Sequence, residues 1–548
     1  MLNLKSTYFY FLAIKISLLK FIKKIYFTTN IYNKSLKSRI PKQFYFFPNA
    51  FLLSSFTSYK NFIFKISEID PNKFWSNKIS KNENKNLHNF LWLSLIDRKD
   101  DTSIIRKIIT LWMYKNNNYK PTTWKNEIIS GRVLSWILNA NIILSNTNHT
   151  FNQKFLESII VQTNHLKKNF NFEKDENKKI ESLTAILLSG LVFKEYKENY
   201  NFGIKVLEKL VEDFFDEDGF PLTRNPNDLL KFLKFLILIK ECISDAQEYM
   251  PEFLELIIEK NLICLKNITT PNNQIPLFNG GTEIELFEFY KYISDLNIKC
   301  KNLKKNVGGL KIIKNKRDVV FFDSGSLPEK KYSNSYQSGS LSFEYYNDGE
   351  KIITNCGYGS NISPKARLLS RLTSAQSTLC LNDTYLVKFE RNKMLTNDFG
   401  YYLKGKFRIL DENFEENESQ IVASASHNAY INNYGYIHKR QIILNKKNNT
   451  LKGTDELIKK KNIKNVNFCI RFHLYPGLDG TKTISGNSIL IKIKKNKSLI
   501  FTVNNHSLSL EKSIFLGRNK ILNNLCIAIS DKLFDENKVI SWEIKKNI

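Results

Sequence analysis

Two periodicities divide the chain. From about residue 87 to 300, apolar residues return at three- and four-residue spacing, the pattern of helices with one buried face. It predicts helices over 87–96, 104–114, 128–144, 155–170, 180–194, 204–215, 229–243 and 253–266. Short Asn-rich links, as at 116–120 and 145–150, make successive helices into hairpins that can close into an incomplete α/α toroid. After residue 301 the pattern shortens. Strand-like runs are predicted over 310–313, 319–322, 341–345, 351–354, 377–381, 401–410, 421–425, 441–444, 451–457, 467–473, 488–493, 499–503 and 525–529. Turn signals punctuate them at Asn347-Asp348-Gly349, Pro476-Gly477, Asp479-Gly480 and Ser485-Gly486-Asn487. Many short strands without helices between them predict an antiparallel β-sandwich. The expected fold is α+β and multidomain: a basic amphipathic segment over 1–40, a toroid-like helical domain over 41–300 and a β-sandwich over 301–548.

The first residues change the picture only in part. The apolar run 7–14 is followed by Lys15, Lys20, Lys23 and Lys24, too short and too charged to span a bilayer. No small-residue cleavage site is clear. An amphipathic basic helix packed on the protein or lying on a membrane surface fits this pattern, which makes peripheral membrane contact one expected interaction. A weak, uncleaved export signal is the alternative.

With 548 residues, 42% of them hydrophobic and 13% aromatic, the chain has enough apolar surface for two or three ordered domains. Its formal net charge of +29 attracts polyanions: acidic polysaccharide, nucleic acid or an anionic membrane face. Saturation with Lys, Asn, Ile and Phe, as in a very AT-rich genome, accounts for much of that charge equally well. No zinc-finger spacing, Arg-aromatic motif or Gly-rich phosphate loop supports a nucleic-acid partner. The seven cysteines form no CxxC, which argues against a disulfide framework or a Cys-held metal.

The most informative stretch is 335–383. Leu341, Phe343 and Tyr345 alternate with Ser340, Ser342 and Glu344, and the Asn347-Asp348-Gly349 turn joins them to Ile352 and Ile353. The hairpin ends in Asn355-Cys356-Gly357, and Gln376-Ser377-Thr378 follows, so Gln337, Asn355 and Gln376 are expected within reach of one another. This stretch resembles the C-terminal domain of heparinase II/III-like polysaccharide lyases. Further pieces similar to that family are Leu87-His88-Asn89-Phe90-Leu91-Trp92, Trp124 with Arg132 and Trp136, Asp218-Gly219 with Arg224-Asn225-Pro226, and Leu277-Phe278-Asn279-Gly280-Gly281. In the second half they are His427-Asn428-Ala429-Tyr430, Tyr434-Gly435 with His438-Lys439-Arg440, Leu451-Lys452-Gly453-Thr454-Asp455, and Arg471-Phe472-His473-Leu474-Tyr475-Pro476.

The resemblance implies β-elimination on a uronate-containing polysaccharide in a cleft between helical and β domains, in a bacterial envelope or periplasmic setting. Such a lyase neutralises the uronate carboxylate, removes the C5 proton with a base such as His or Tyr, and protonates the leaving oxygen. It also implies a structural zinc held by His and Asp. In this chain Gln337 and Gln376 stand where ligating histidines belong, and Asn355 stands where some members have Asp. Amides are poor zinc ligands, so no metal and no cofactor is expected. Ser335 falls on the base position, with Tyr336 and Tyr332 nearby as substitutes, and Leu222 falls where the family has a Tyr. Asn177 matches the carboxylate-neutralising amide.

Tyr436, His438 and Arg440 are two residues apart, so a strand puts all three on one sheet face. That row could bind or deprotonate a uronate, with Arg440 clamping its carboxylate. The expected catalytic set is therefore Tyr436, His438, Tyr336 and Asn177. Arg440, Arg224, Tyr430, His427, Gln337 and Gln376 are expected to bind substrate, and His473 is a further candidate. For each of them, a satisfied core side chain is the competing reading. Trp92, Trp124 and Trp136 suit sugar stacking or, at helical spacing, a core. An acidic-glycan binding or envelope-assembly protein without turnover is the alternative to a lyase.

Overall fold

The computed structural model describes residues 4–56, 70–75, 81–96, 102–299, 304–462, 466–494, 497–534 and 536–547. It contains two compact units. One comprises Met1–Phe214, Leu230–Glu259 and Glu288–Lys299; the other comprises Phe215–Leu229, Lys260–Phe287 and Cys300–Ile548.

The first unit is helical. Leu4–Phe27, Thr102–Asn116, Asn126–Leu138, His149–Asn169, Glu176–Val192 and Lys197–Phe214 are its longest complete helices. Asn148 and Asp175 start two of them by accepting the N–H of Phe151 and Asn177. Glu176–Val192 is buried almost throughout from Ser182 onward, and its neighbour Lys197–Phe214 approaches it closely. A Cβ on Gly190 would lie 2.2 Å from the Tyr200 nitrogen, and one on Gly203 would lie 2.8 Å from Leu187 Cβ, so only glycine allows this contact. The continuous helix expected over 87–96 is instead a helix ending at His88 and a 3₁₀ turn over Leu91–Leu95. Asn89 accepts the Leu91 N–H and Phe90 takes φ 57°, which ends the α-helical run. Trp92, Trp124 and Trp136 are all buried, and Trp136 packs edge-on to Phe90 and Trp112, so they are core residues and not stacking platforms.

The second unit contains the β-structure. Its nine-stranded antiparallel sheet runs in the order Asn306–Val307, Leu310–Lys314, Asp318–Asp323, Phe343–Asn347, Glu350–Thr354, Val466–Leu474, Leu522–Leu533 and Leu508–Phe515, with Leu379–Leu381 also paired to Val466–Leu474. The eight-stranded sheet runs Asp479–Lys482, Ser488–Lys494, Lys497–Val503, Lys538–Lys546, Thr450–Lys459, Tyr436–Asn445, Gln420–His427 and Ile409–Glu416. One apolar core draws on both sheets, with Phe343, Phe472 and Phe501 each in ring contact with Trp542. The helical region followed by an antiparallel sandwich is as expected. Individual strands differ. The run 401–410 is split into Leu403–Lys404 and the start of Ile409–Glu416, with Gly405 at φ 150° between them. Asp479-Gly480 lies inside a strand and is not a turn. Among the described residues no helix is long and apolar enough to cross a membrane.

Candidate functional site

Alternation along Tyr436–Asn445 does put Tyr436, His438 and Arg440 on one face, and that face is the core. All three side chains are fully buried. Arg440 donates through Nε to Asp455 Oδ1 at 2.8 Å and through Nη2 to Oδ2 at 3.1 Å. Its Nη1 donates to the carbonyls of Leu341 and Ser377 at 2.7 and 2.8 Å. His438 Nε2 lies 2.7 Å from Asp455 Oδ1, and the Trp542 indole donates to Oδ2 at 3.0 Å.

An ionised carboxylate only accepts, so His438 donates from Nε2 and accepts at Nδ1. His427 Nε2, 3.3 Å away, therefore donates to that Nδ1, while His427 Nδ1 accepts the Ala429 N–H at 3.4 Å. The whole chain of donors converges on one carboxylate. Burial pushes both imidazoles below their ordinary value; Asp455 opposes this at His438. Burial alone would raise the Asp455 carboxyl, but Arg440 and His438 hold it well below the usual carboxylate range. The role expected for Arg440 as a uronate clamp is thus corrected: its carboxylate is Asp455, and a buried, fully bonded guanidinium has no face for a sugar. The same correction applies to Tyr436 and His438 as catalytic groups and to His427 as a substrate contact. Tyr430 is also buried, donating to the Leu379 carbonyl at 3.0 Å. His473 is held between Ser513 Oγ and the Ser374 carbonyl at 3.0 and 3.1 Å, and burial pushes it down to about 4. Tyr336 packs in the sandwich core with its hydroxyl 3.1 Å from Ser340 Oγ, and burial raises the phenol further from any role as a base.

The three amides form part of one buried cluster, through the backbone and not through each other. Gln337 Nε2 donates to the carbonyls of Ser370 and Gly357 at 2.6 and 3.1 Å, and its oxygen accepts the Gly280 N–H at 3.1 Å. Gln376 Nε2 donates to the same Ser370 carbonyl at 2.8 Å. Asn355 accepts the Ser377 N–H at 2.9 Å. These residues do not fit the zinc that the family resemblance implies. The amide nitrogens carry no available lone pair, and Asp455 and the His438 Nε2 that faces it are already engaged with each other. Among the described residues no three His, Cys, Asp or Glu side chains gather to hold a metal ion.

Arg224 is likewise internal to the second unit. Its backbone is left-handed at φ 57°, and its guanidinium meets Asp323 at 2.7 Å and the carbonyls of Gly308, Gly325 and Ser326 at 3.1–3.2 Å. It lies against Gly309 and Gly325 because no side chain intervenes. A Cβ on Gly325 would fall 2.2 Å from Nη2, and the four bonds prevent the guanidinium from swinging away. Gly325→Ala is expected to cost at least about 1–3 kcal/mol, read as a lowered urea midpoint; an unchanged midpoint would mean that Arg224 is not pinned. Asn177 lies in the first unit, half-buried in the first turn of Glu176–Val192, with its N–H on Asp175.

A different group in the second unit has unengaged donors. Gly280, at φ 107°, sits so close to Asn225 and Ser335 that a Cβ there would lie 2.8 Å from Asn225 Nδ2 and 2.7 Å from Ser335 Cβ. The adjacent Asn279 has a buried Nδ2 with no hydrogen-bond partner. Asn334, which precedes Ser335, accepts from Arg367 Nη2 at 2.8 Å, and Arg367 Nε is another buried donor without a partner. Asn225, Asn279 and Arg367 were not among the expected site residues, whereas Ser335 was expected at the base position. The signal available for Asn225 and Asn279 was the pair of motifs Arg224-Asn225-Pro226 and Asn279-Gly280-Gly281, each containing a backbone position with φ above zero.

The chain matches the family descriptions "Heparinase II/III N-terminus" over residues 57–299 and "Heparinase II/III-like, C-terminal" over residues 304–543. Its fold is similar to that of a crystal structure of heparinase III (TM-score 0.67, 14% identity, 97% of this chain and 91% of that one). It is also similar to the heparan sulfate lyase HepC of Pedobacter heparinus (TM-score 0.61, 15% identity, 85% and 75%). In sequence it is 20% identical to FtsZ-localized protein C of Caulobacter vibrioides over 444 residues, 78% of this chain and 75% of the relative. With both segments matched in order, and with a helical region followed by an antiparallel sandwich, the chain belongs to the heparinase II/III-like family of polysaccharide lyases.

Proposed function

We propose that this chain binds an acidic, uronate-containing polysaccharide around the half-buried Ser335 and Arg367, without the family's ordinary elimination centre. One observation carries this reading. The side chains expected to move a proton or contact substrate in the sandwich (Tyr336, His427, Tyr436, His438 and His473) are buried, while the residue expected at the base position is Ser335. Serine does not remove a C5 proton unaided near neutral pH. Arg367, half-buried beside Asn334 and with its Nε unbonded, suits a carboxylate oxygen. The net charge of +29 favours a polyanion. The proposed setting is polysaccharide assembly in the bacterial cell envelope or periplasm; one relative is named for its localisation with FtsZ and not for breakdown of a sugar polymer.

A second reading keeps β-elimination, with Tyr332 as the proton-moving group. It rests on Lys331 Nζ, which donates to the Tyr332 hydroxyl at 2.8 Å and keeps an ammonium and a phenol together three residues from Ser335. Incubating the full chain with heparan sulfate and other uronate polymers, while following the ultraviolet absorbance of the unsaturated product, separates the two. No absorbance change is expected, with binding that weakens as salt rises. Arg367→Ala is expected to weaken that binding about tenfold, the order of one lost charge-assisted hydrogen bond. An elimination signal overturns the binding reading. If that signal disappears in Tyr332→Phe, the second reading takes its place.

A further inference from the structure

We propose that the helix Leu4–Phe27 is an interfacial anchor that lies on an anionic phospholipid bilayer. Phe11, Ile14, Leu18, Phe21, Ile22 and Ile25 form one stripe along it, at the three- and four-residue spacing of a single helical face. Each of them is at least half exposed, from 51% at Ile22 to 67% at Phe11. A contiguous apolar stripe of this kind on a surface helix marks an interaction site.

The opposite face of the helix fixes which way the stripe points. Ala13 is fully buried, and Lys23 Nζ sits 2.6 Å from the centre of the Phe172 ring. Phe27 stacks on Tyr32 at 4.5 Å and meets the edges of Tyr119 and His165 at 5.1 and 5.5 Å. The Tyr32 hydroxyl is in turn hydrogen-bonded to His165 Nδ1 at 2.7 Å. The last turn is therefore built into the aromatic core of the first unit, and the apolar stripe faces away from it.

Charge selects the occupant. Residues 4–56 contain eight lysines, one arginine and no Asp or Glu. At about 100° per residue, Lys15 falls on one flank of the stripe and Lys24 on the other, and both are exposed. A second copy would bring two cationic faces together with no acidic partner on either. An anionic headgroup layer takes both features at once: the apolar stripe enters the acyl boundary and the flanking ammonium groups meet phosphates. The helix, about 36 Å long from its 24 residues, lies along the surface, since nothing in it suits a span.

The test is flotation of the full chain with vesicles of phosphatidylcholine alone or mixed with phosphatidylglycerol. Binding is expected only to the mixed vesicles and is expected to weaken with salt. Ile14→Glu with Leu18→Glu should abolish it, and Lys15→Glu with Lys24→Glu should lower it by about tenfold or more. These side chains are exposed, so circular dichroism and the thermal midpoint should remain those of the unaltered chain. Failure of the unaltered chain to float with mixed vesicles overturns the proposal, as does binding that survives Ile14→Glu with Leu18→Glu. A dimer that those two substitutions convert to monomer would make a second copy the occupant and would overturn it equally.

Discussion

Arg440→Ala should unfold the second unit instead of giving a folded protein with weaker sugar binding. Removing the guanidinium leaves the Asp455 carboxylate buried with only His438 and Trp542 as partners, and leaves the Leu341 and Ser377 carbonyls without their shared donor. Breaking one side of a buried ion pair costs about 3–5 kcal/mol. Leu341 adds to this, since its φ of 61° puts a branched side chain in a left-handed conformation that the Arg440 bond helps to hold. Against a typical stability of about 5–15 kcal/mol the loss is large. Urea unfolding followed by tryptophan fluorescence reads it directly, because Trp542 donates to the same carboxylate. Arg440→Lys keeps the charge but cannot serve both Asp455 oxygens and two carbonyls, so it should recover only part of the loss. A folded Arg440→Ala protein with an unchanged midpoint would return Arg440 to the list of substrate contacts.

Mild acid should destabilise both units well before their carboxylates protonate. Burial pushes His165 down to about 3 and His88 and His473 to about 4, and it lowers His427 and His438 as well. A histidine whose folded value lies below its unfolded value of about 6.5 is neutral in the native protein and takes up a proton on unfolding. Its contribution is complete above that unfolded value and is lost as pH falls toward the folded value. Each group then costs about 1.4 kcal/mol per pH unit, so His473 alone removes about 3 kcal/mol between pH 6.5 and 4. Asp455 works in a lower window. Its depressed value means that its stabilisation is present above the ordinary carboxylate range and fades only below it. The thermal midpoint is therefore expected to be flat above pH 7 and to fall steadily from about pH 6.5. A midpoint constant from pH 7 to 5 would show that these imidazoles are not held neutral.

The sequence made the fold classes legible because hydrophobic period reports element type. The shift from a period near 3.6 to a period of 2 around residue 300 separated helices from strands. The same period could not report which elements pack together, so nothing in it distinguished Phe215–Leu229 and Lys260–Phe287, which join the second unit, from the helices around them. Strand Leu508–Phe515 escaped notice because its middle is exposed and polar at the end of its sheet, so it lacks alternation. At the candidate site, alternation correctly put Tyr436, His438 and Arg440 on one face. It could not say that Asp455, fifteen residues beyond Arg440, faces them from the paired strand and occupies their donors. The approach of Asn225 to Asn279 was hidden for a related reason. Two motifs 54 residues apart meet where Gly280 approaches Asn225 and Asn227 bonds Thr282, and no local pattern encodes that approach.

The Arg224–Asp323 contact joins residues 99 positions apart, and this bears on how the chain emerges during synthesis. When Phe215–Leu229 leaves the ribosome, the strands that supply its partners have not been made. Its guanidinium and left-handed turn must wait while the helices before it are already able to fold. The same order limits recombination. The boundary between the two matched segments, at about residue 300, separates Arg224 from Asp323 and Gly280 from Gln337. A sandwich exchanged at that point between relatives would arrive with a buried aspartate lacking its cation, so crossover is better tolerated before residue 215.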